Sequence, residues 1–513
     1  MNHVTLSPAS LNAARRAREL EALESTGRVD VLVIGGGVTG AGVALDAATR
    51  GLSTALVEKH DLAYGTSRWS SKLVHGGLRY LASGNVGLAY ESAVERGILL
   101  RRTAPHLVRA YPQLIPLLPQ ISPRRARFLR AGQLVGDALR LAAGTSGQLL
   151  PRSRRITQAE TRRYAPTVRA DDLRGGLLGW DGQLYDDARL VVALARTAAS
   201  HGAKVLTRCA ASEATGGGAV VTDQLTGRSF DVSARVVINA AGVWAGQLAP
   251  DLALRPSRGS HLVFGQRAFG GLNATLTVPV PGERSRFVMA LPAPDDRVYL
   301  GLTDEDAPGD IPDVPQATDA EIDFLIGAVN PALRVPVSRA DMLGSFAGLR
   351  PLLEEPSSAG GSTSDISREH AVIRSADGLV TVVGGKLTTY RRMAQDALDA
   401  ALAGAGMAAA PCRTRRLPLV GASGFRAVRA PERLIRRYGA EAPLMIAEAG
   451  GDPAQLEPIA EGIDVTLADL RFSVRHEGAL DADDLLDRRT RIGLVNPDRR
   501  RALAAAKEAL SAS

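Results

Sequence analysis

The chain has few cysteines, few aromatic residues and no long apolar run. Two cysteines occur in 513 residues, Cys209 and Cys412, and they are far apart. That sets aside a disulfide framework and a cysteine-held metal centre, and it fits a reducing compartment. No stretch of about 18 or more apolar residues occurs, so no transmembrane helix is expected. Residues 1–28 carry Arg15, Arg16, Arg18, Glu19, Glu21 and Glu24 where the apolar core of a signal peptide would sit. They read as an N-terminal extension, a short charged helix or loose tail ahead of the first strand. Aromatic residues make up 4% of the chain, and no helix-turn-helix, zinc-finger or RNA-binding motif is visible, so no nucleic-acid partner is expected. No EF-hand loop is present, so calcium regulation is not implied.

What is present is a basic balance and a punctuated order of strands. The formal net charge is +8, which suits phosphate-bearing ligands or an anionic lipid surface. The length fits two or three domains of about 100–200 residues each. Val29–Ile34 is a short apolar run consistent with a buried strand, and a helical stretch follows its glycines. A second strand, Ser53–Val57, ends at Glu58. Later strands at Ala234–Ile238 and Leu379–Val383 also end in glycine-bearing turns, at Ala241-Gly242 and Gly384-Gly385. Such spacing predicts one sheet assembled from distant segments, with the intervening chain forming a second domain. From about Arg413 charged helical patterns take over.

Gly35, Gly37 and Gly40, with Gly36 between, form a G-x-G-x-x-G fingerprint between strand and helix. The first glycine allows the tight turn, the second lets backbone approach a pyrophosphate, and the third lets the helix pack close. Glu58 lies 18 residues beyond Gly40, near the roughly 20 expected of a ribose-binding carboxylate. The motif alone does not separate NAD from FAD. The segment Thr66–Tyr80 directly after the second strand, and the Asn239-Ala240-Ala241-Gly242 turn, favour a flavin.

Ser70-Ser71-Lys72-Leu73-Val74-His75-Gly76-Gly77-Leu78-Arg79-Tyr80 and Gly384-Gly385-Lys386-Leu387-Thr388-Thr389-Tyr390-Arg391 resemble the signature blocks of FAD-linked glycerol-3-phosphate dehydrogenases. Trp180-Asp181, Asp186-Asp187-Ala188-Arg189-Leu190, Arg258-Gly259-Ser260-His261, Gly348-Leu349-Arg350-Pro351-Leu352 and Ser367-Arg368 extend the resemblance, as do Asp469-Leu470-Arg471-Phe472 and Asp487-Arg488-Arg489-Thr490. It spans roughly Val29 to Leu494. One departure is Leu302, where family members carry a second threonine.

The resemblance implies an α/β protein, α+β overall. Its parts are a Rossmann-type FAD-binding domain of the glutathione-reductase or amino-acid-oxidase-like kind, an antiparallel-sheet substrate domain and a helical C-terminal domain. The FAD domain is expected from residues 29–105, 170–257 and 340–400, the substrate domain from 106–169 and 258–339, and the C-terminal domain from 413–513. FAD is expected at Gly35, Gly36, Gly37, Gly40, Glu58, Thr66, Ser70, Ser71, Lys72, Ala241, Gly242, Gly384, Gly385, Leu387 and Thr388. The implied reaction oxidises glycerol 3-phosphate to dihydroxyacetone phosphate and passes electrons to membrane quinone. A dianionic phosphate calls for arginine and lysine, and the resemblance puts Arg350, Arg368 and Lys386 around it, with Arg79 and Tyr80 as a further anion contact. Removing the hydroxyl proton calls for a base near neutral pKa, which suits histidine. His261 is the favoured candidate, and His75 takes a flavin-side or substrate-side role. Lys386 would also face the negative charge of the reduced flavin.

Pro123–Leu141 reads as a basic amphipathic helix, with Phe128, Ala131, Val135, Leu139 and Ala142 on one face and Arg127, Arg130, Gln133, Asp137 and Arg140 mostly opposite. Arg124 and Arg125 add to its charge. Such a helix lies in an anionic headgroup layer or packs as an ordinary domain helix. The quinone-linked resemblance favours the first, on the inner face of the plasma membrane, with the apolar Leu114–Pro119 inserting beside it. A homodimer is compatible with this reading. Competing readings are an oxidase using molecular oxygen, an FAD-dependent amino-acid oxidase, and a non-enzymatic flavin-binding protein.

Overall fold

The computed structural model describes residues 7–77, 85–280, 283, 286–354 and 369–512. In the first sheet, strand Arg28–Ile34 lies between Thr54–Glu58 and Ser229–Asn239, all parallel. Lys204–Thr207 extends one side and Val380–Gly384 the other, both parallel, and His370–Arg374 closes the edge antiparallel. A strand buried on both faces needs apolar residues at every position. The second half of Arg28–Ile34, residues 31–34, meets that need: Val31 and Val33 join the core beneath the helices, while Leu32 and Ile34 join the core on the opposite face. Helices Val38–Thr49, Asp187–Ser200 and Tyr390–Gly404 cover the first face with small residues such as Ala44, Ala47, Ala195 and Ala397.

Over its described residues, 7–28, the N-terminal extension carries a packed helix and is not a loose tail. Asn12 caps a helix, Ala13–Thr26, by accepting the Arg15 N–H, and Gly27 ends it in the left-handed conformation at φ 60°. Leu20 and Leu23 are buried against the second face of the first sheet. Arg16 donates to Thr207 O at 2.7 Å and pairs with the buried Asp223.

The second sheet is mostly antiparallel. Leu254–Gly265 pairs along its length with Met342–Leu353, and on its other side with Arg297–Gly301. Phe287–Ala293, Thr275–Pro279, Val108–Pro116 and Gly176–Leu184 continue it, ending at Leu73–Val74. Gly176–Leu184 and Met342–Leu353 therefore belong to this sheet, although their positions in the sequence assign them to the dinucleotide domain. An isolated strand carries no mark of its partner, so the domain boundaries are redrawn there. Leu114, Leu117 and Leu118 are 0–3% exposed. The apolar stretch is therefore largely interior from Leu114 to Leu118, with Pro119 exposed at its end, and it presents no insertion surface.

The C-terminal region is built of helices including Leu467–His476 and Asn496–Ser511, with a short antiparallel pair, Pro458–Ala460 and Ile463–Thr466, that the sequence does not announce. It is bolted to the first sheet through buried charge: Arg488 and Arg489 both donate to Asp61. Among the described residues no helix is long and apolar enough to cross a membrane.

Candidate active site

The glycine loop sits at the carboxyl end of the first sheet. Gly35 has φ 109°, and a Cβ there would stand 2.6 Å from Ala240 O. At Gly40 a Cβ would stand 1.9 Å from Gly35 O, so the helix closes on the loop only without a side chain. Gly37 caps the helix Val38–Thr49 and offers no side-chain bond of its own. The helix N-terminus thus faces the cleft with its positive end, the setting a pyrophosphate needs. Glu58 accepts the Gly36 N–H at 2.6 Å and the His60 N–H at 2.8 Å. Burial pushes its carboxyl up, against the pull of those two N–H groups. Gly242, Gly384 and Gly385 adopt positive φ at the ends of neighbouring strands, as expected of turns that meet a ligand edge-on. This cradle fits FAD.

One residue of the cradle escapes sequence reasoning. Ser67 Oγ accepts the Val38 N–H at 2.9 Å, at the N-terminus of the phosphate-facing helix. It belongs to no glycine motif, and only the folding back of residues 66–71 brings it there.

Several expected cofactor contacts turn inward instead. Thr66 Oγ1 donates to Leu349 O at 2.5 Å, tying this segment to the second sheet. Ser70 donates to Asp187 through both N (2.9 Å) and Oγ (2.7 Å). Lys72, 4% exposed, spends its ammonium on Asp187, Arg68 O and Ser70 O. Thr388, 1% exposed, accepts the His75 N–H at 3.3 Å. The side chains of Ser70, Lys72 and Thr388 are thus bonded within the protein and hold this segment in place. Asp187, fully buried, organises Ser70 and Lys72, and its acid in the Asp186-Asp187 pair carries no sequence signal that separates it from a helix cap.

His261 also departs from expectation. Its side chain is 0% exposed, so no ligand can touch it in this conformation. Nε2 lies 2.8 Å from Ser71 Oγ, and the ring stacks on Phe346 at 4.7 Å. Burial, with the charges of Lys72 and Arg350 adding, lowers its pKa to about 3, so the imidazole is neutral at any physiological pH. As a base in direct contact with substrate His261 is excluded by this geometry. The sequence cannot distinguish a histidine beside a cleft from one beneath its floor.

His75 is half-buried and clamped on both sides. Its N–H goes to Thr388, and the following Gly76 N–H goes to Asp181, at 3.1 Å to Oδ1. Asp181 is itself held by Arg96 at 2.7 Å. Lys386 donates to Ser92 Oγ at 3.0 Å. Arg350 lies opposite Ser257 on the second sheet, and its guanidinium covers Gly259, where a Cβ would meet Nη2 at 2.2 Å. Its position is fixed by Asp304 Oδ1 and Ser257 Oγ, each at 3.1 Å, and by Thr303 O at 3.2 Å. Leu302, the departure from the expected threonine, packs at the same glycine. Strand Met342–Leu353 lies against Val380–Gly384, and Leu73–Val74 lies near Leu387–Thr389. The structure therefore gathers the segments carrying Arg350, Lys386 and His75 at one junction of the two sheets. Arg79, Tyr80 and Arg368 lie outside the described residues.

A glycine-rich turn at the carboxyl edge of a parallel sheet, roofed by a second, antiparallel sheet, defines a flavin-dependent oxidoreductase. Residues 30–391 match the model of the FAD dependent oxidoreductase family, and residues 412–512 match that of the C-terminal domain of alpha-glycerophosphate oxidase. Glycerol-3-phosphate dehydrogenase 1 of Mycobacterium tuberculosis is 59% identical, over 98% of this chain and 99% of that protein. Glycerol-3-phosphate dehydrogenase 2 of the same organism is 40% identical, over 96% of this chain and 85% of its own. The structure of the glycerol-3-phosphate dehydrogenase from Bacillus halodurans complexed with FAD superposes with a TM-score of 0.74 at 27% identity, covering 98% of this chain and 94% of that one. The chain belongs to the family of FAD-dependent glycerol-3-phosphate dehydrogenases.

Proposed function

We propose that the protein oxidises glycerol 3-phosphate to dihydroxyacetone phosphate and delivers the electrons to a membrane quinone. The observation that carries the substrate is Arg350: a partly exposed guanidinium, locked by Asp304, Ser257 and Thr303 O, on the sheet face that roofs the flavin cleft. A fixed, planar guanidinium suits a phosphate. Lys386, oriented by Ser92, adds a point charge at the same junction. FAD held at the Gly35–Gly40 loop would supply the acceptor for the hydride from C2. His75 takes the hydroxyl proton in this reading, since it is half-buried while His261 is sealed. Two backbone clamps, Thr388 and Asp181, set its position.

The helix Pro123–Ala142 supports the membrane half of the reading. Its outer face is apolar: Phe128 is 67% exposed, Leu134 53%, Val135 48% and Leu141 52%. Arg130, Asp137 and Arg140 point inward, while Arg124 and Arg127 near its start stay exposed. Arg140 is 1% exposed and donates to Thr145 O at 2.6 Å, while Arg130 and Asp137 both bond Ser153. An ordinary packed helix has the opposite arrangement. Leu139, expected on the apolar face, is half-buried, and Arg130 is committed to the protein interior rather than to lipid. Exposed Arg124 and Arg127 remain for anionic headgroups at the inner face of the plasma membrane. This apolar face is what favours quinone over the oxidase reading.

The test is anaerobic. FAD in the purified enzyme should bleach on adding glycerol 3-phosphate and recover its colour with a soluble quinone. Recovery only with oxygen, accompanied by peroxide, would establish the oxidase reading instead. No bleaching with glycerol 3-phosphate would overturn the substrate.

A further inference from the structure

His261 has no direct route to any ligand, yet it is held with care. Its ring is stacked on Phe346, Nε2 is 2.8 Å from Ser71 Oγ, and Nδ1 is buried without a partner among the described residues. The proton of the neutral ring can sit on either nitrogen. On Nδ1 it would be a buried N–H lacking an acceptor, the rarest kind of orphan in a folded protein. On Nε2 it is donated to Ser71 Oγ, and only a ring lone pair is left unmatched. The positive charges of Lys72 and Arg350 that act on this ring favour a lone pair within it over a second proton. With His261 donating, the Ser71 hydroxyl cannot point its own hydrogen back at the ring. The hydrogen turns the other way.

Ser71 itself is half-buried, unlike its neighbour Lys72, and has no other side-chain partner among the described residues. It lies four residues beyond Ser67, which caps the phosphate-facing helix. Four residues reach at most ~14 Å, the scale of a ribityl chain with the ring it carries. The backbone on either side is rigid: Ser70 is held by Asp187, and Lys72 is pinned at φ 56° by three bonds to its ammonium. On the facing sheet His261, Gly259 and Ser257 share one side of their strand, so Ser71 and Arg350 stand over the same surface, with glycine between them.

We propose that Ser71 is a catalytic residue whose O–H, turned outward by His261, is donated to the isoalloxazine ring of FAD, and that His261 is the positioning residue that sets this rotor. A preset donor to N1 or a carbonyl oxygen, where the negative charge of the reduced ring collects, favours the reduced ring over the oxidised one and costs no reorganisation during reduction. The assignment of FAD stands on the cradle and the family. The rate effects below rest in addition on the proposed substrate.

The experiment compares holoenzyme carrying Ser71→Ala, Ser71→Thr, His261→Phe, His261→Gln and the double change Ser71→Ala with His261→Phe. Two readouts are taken: the midpoint potential and visible spectrum of bound FAD in a reductive titration without substrate, and the anaerobic rate of flavin reduction by glycerol 3-phosphate. Ser71→Ala should move the midpoint negative, shift the spectrum and slow reduction by about 100-fold, the loss typical of one preset donor. Ser71→Thr should keep most of the parent behaviour. His261→Phe should reproduce the Ser71→Ala shift and add nothing to it in the double variant, while His261→Gln, which retains a donor, should recover part. An unchanged potential and spectrum in Ser71→Ala would overturn the proposal. So would a further shift on adding His261→Phe to Ser71→Ala. If His261→Phe fails to retain FAD, the Ser71 pair and His261→Gln decide. A parent that glycerol 3-phosphate does not reduce would sink the substrate reading alone, because the potential is read without it.

Discussion

Arg489 grips Asp61 with two parallel bonds of 2.8 Å, Nη1 to Oδ2 and Nη2 to Oδ1, and both side chains are 0% exposed. Arg488 adds a third bond at 2.6 Å. The pair joins the C-terminal helices to the turn after Glu58, four residues or fewer from groups that line the dinucleotide cleft. Burial alone would raise the Asp61 carboxyl, but the two guanidiniums overcome it and hold it well below the usual range.

Asp61→Asn should therefore cost about 3–5 kcal/mol, the usual penalty for orphaning one side of a buried ion pair. Thermal unfolding followed by FAD release measures it. The pH dependence has a sign. A depressed folded-state pKa gives stability that is present above about pH 4 and lost as pH falls toward the folded value. Asp484, which burial and Asp61 push up to about 6, works oppositely: its cost is present above pH 6 and relieved between about 6 and 4. The stability gap between parent and Asp61→Asn should shrink below about pH 4. A gap constant down to pH 3 would show that Asp61 is not ionised in the fold.

Gly40→Ala should give protein without FAD. The added methyl would stand 1.9 Å from Gly35 O, a backbone atom with no room to retreat. Retention of stoichiometric flavin, read from the visible absorbance, would contradict the closeness of helix and loop.

Arg350→Ala should weaken glycerol 3-phosphate much more than glycerol, because glycerol lacks the phosphate. Arg350→Lys should restore only part of the loss, since a point charge replaces a fork. Equal losses toward both substrates in steady-state assays would make Arg350 a structural residue serving Asp304.

His75→Gln should slow flavin reduction by about 10²–10⁴-fold, the range for loss of a general base, with FAD content unchanged. Asp181→Asn, which weakens the clamp on Gly76 and the ion pair with Arg96 without touching the imidazole, should slow it less. Stopped-flow reduction distinguishes them. A full rate in His75→Gln would return the proton to Lys386 or to water.

Phe128→Ser with Leu134→Ser should lower binding to anionic vesicles at all salt concentrations, because apolar contact is not screened. Arg124→Gln with Arg127→Gln should weaken it by about 1 kcal/mol per arginine at low salt and little at high salt. Activity with a soluble quinone should survive both. Vesicle sedimentation equal to the parent in the serine variant would mean that this face meets a protein and not lipid.

The sequence by itself determined the dinucleotide loop, because its chemistry is local. Gly35, Gly37, Gly40 and Glu58 announce themselves by spacing, since strand, turn and helix are consecutive and each glycine answers a backbone need within a few residues. The same is true of the apolar strand Val29–Ile34 and of the helix Pro123–Ala142. Tertiary structure decided what distance along the chain conceals. Gly176–Leu184 and Met342–Leu353 went to the second sheet because pairing depends on which partner edge is available, and an apolar strand fits either. Ser67, Asp181 and Asp187 acquired their partners only when segments 29 to 117 residues apart met. The histidines show the limit most plainly. His75 and His261 both stand beside glycines in recognisable blocks, but one is half-buried at the junction and the other is sealed under Ser71. Burial is a property of the packed whole, and no spacing rule encodes it.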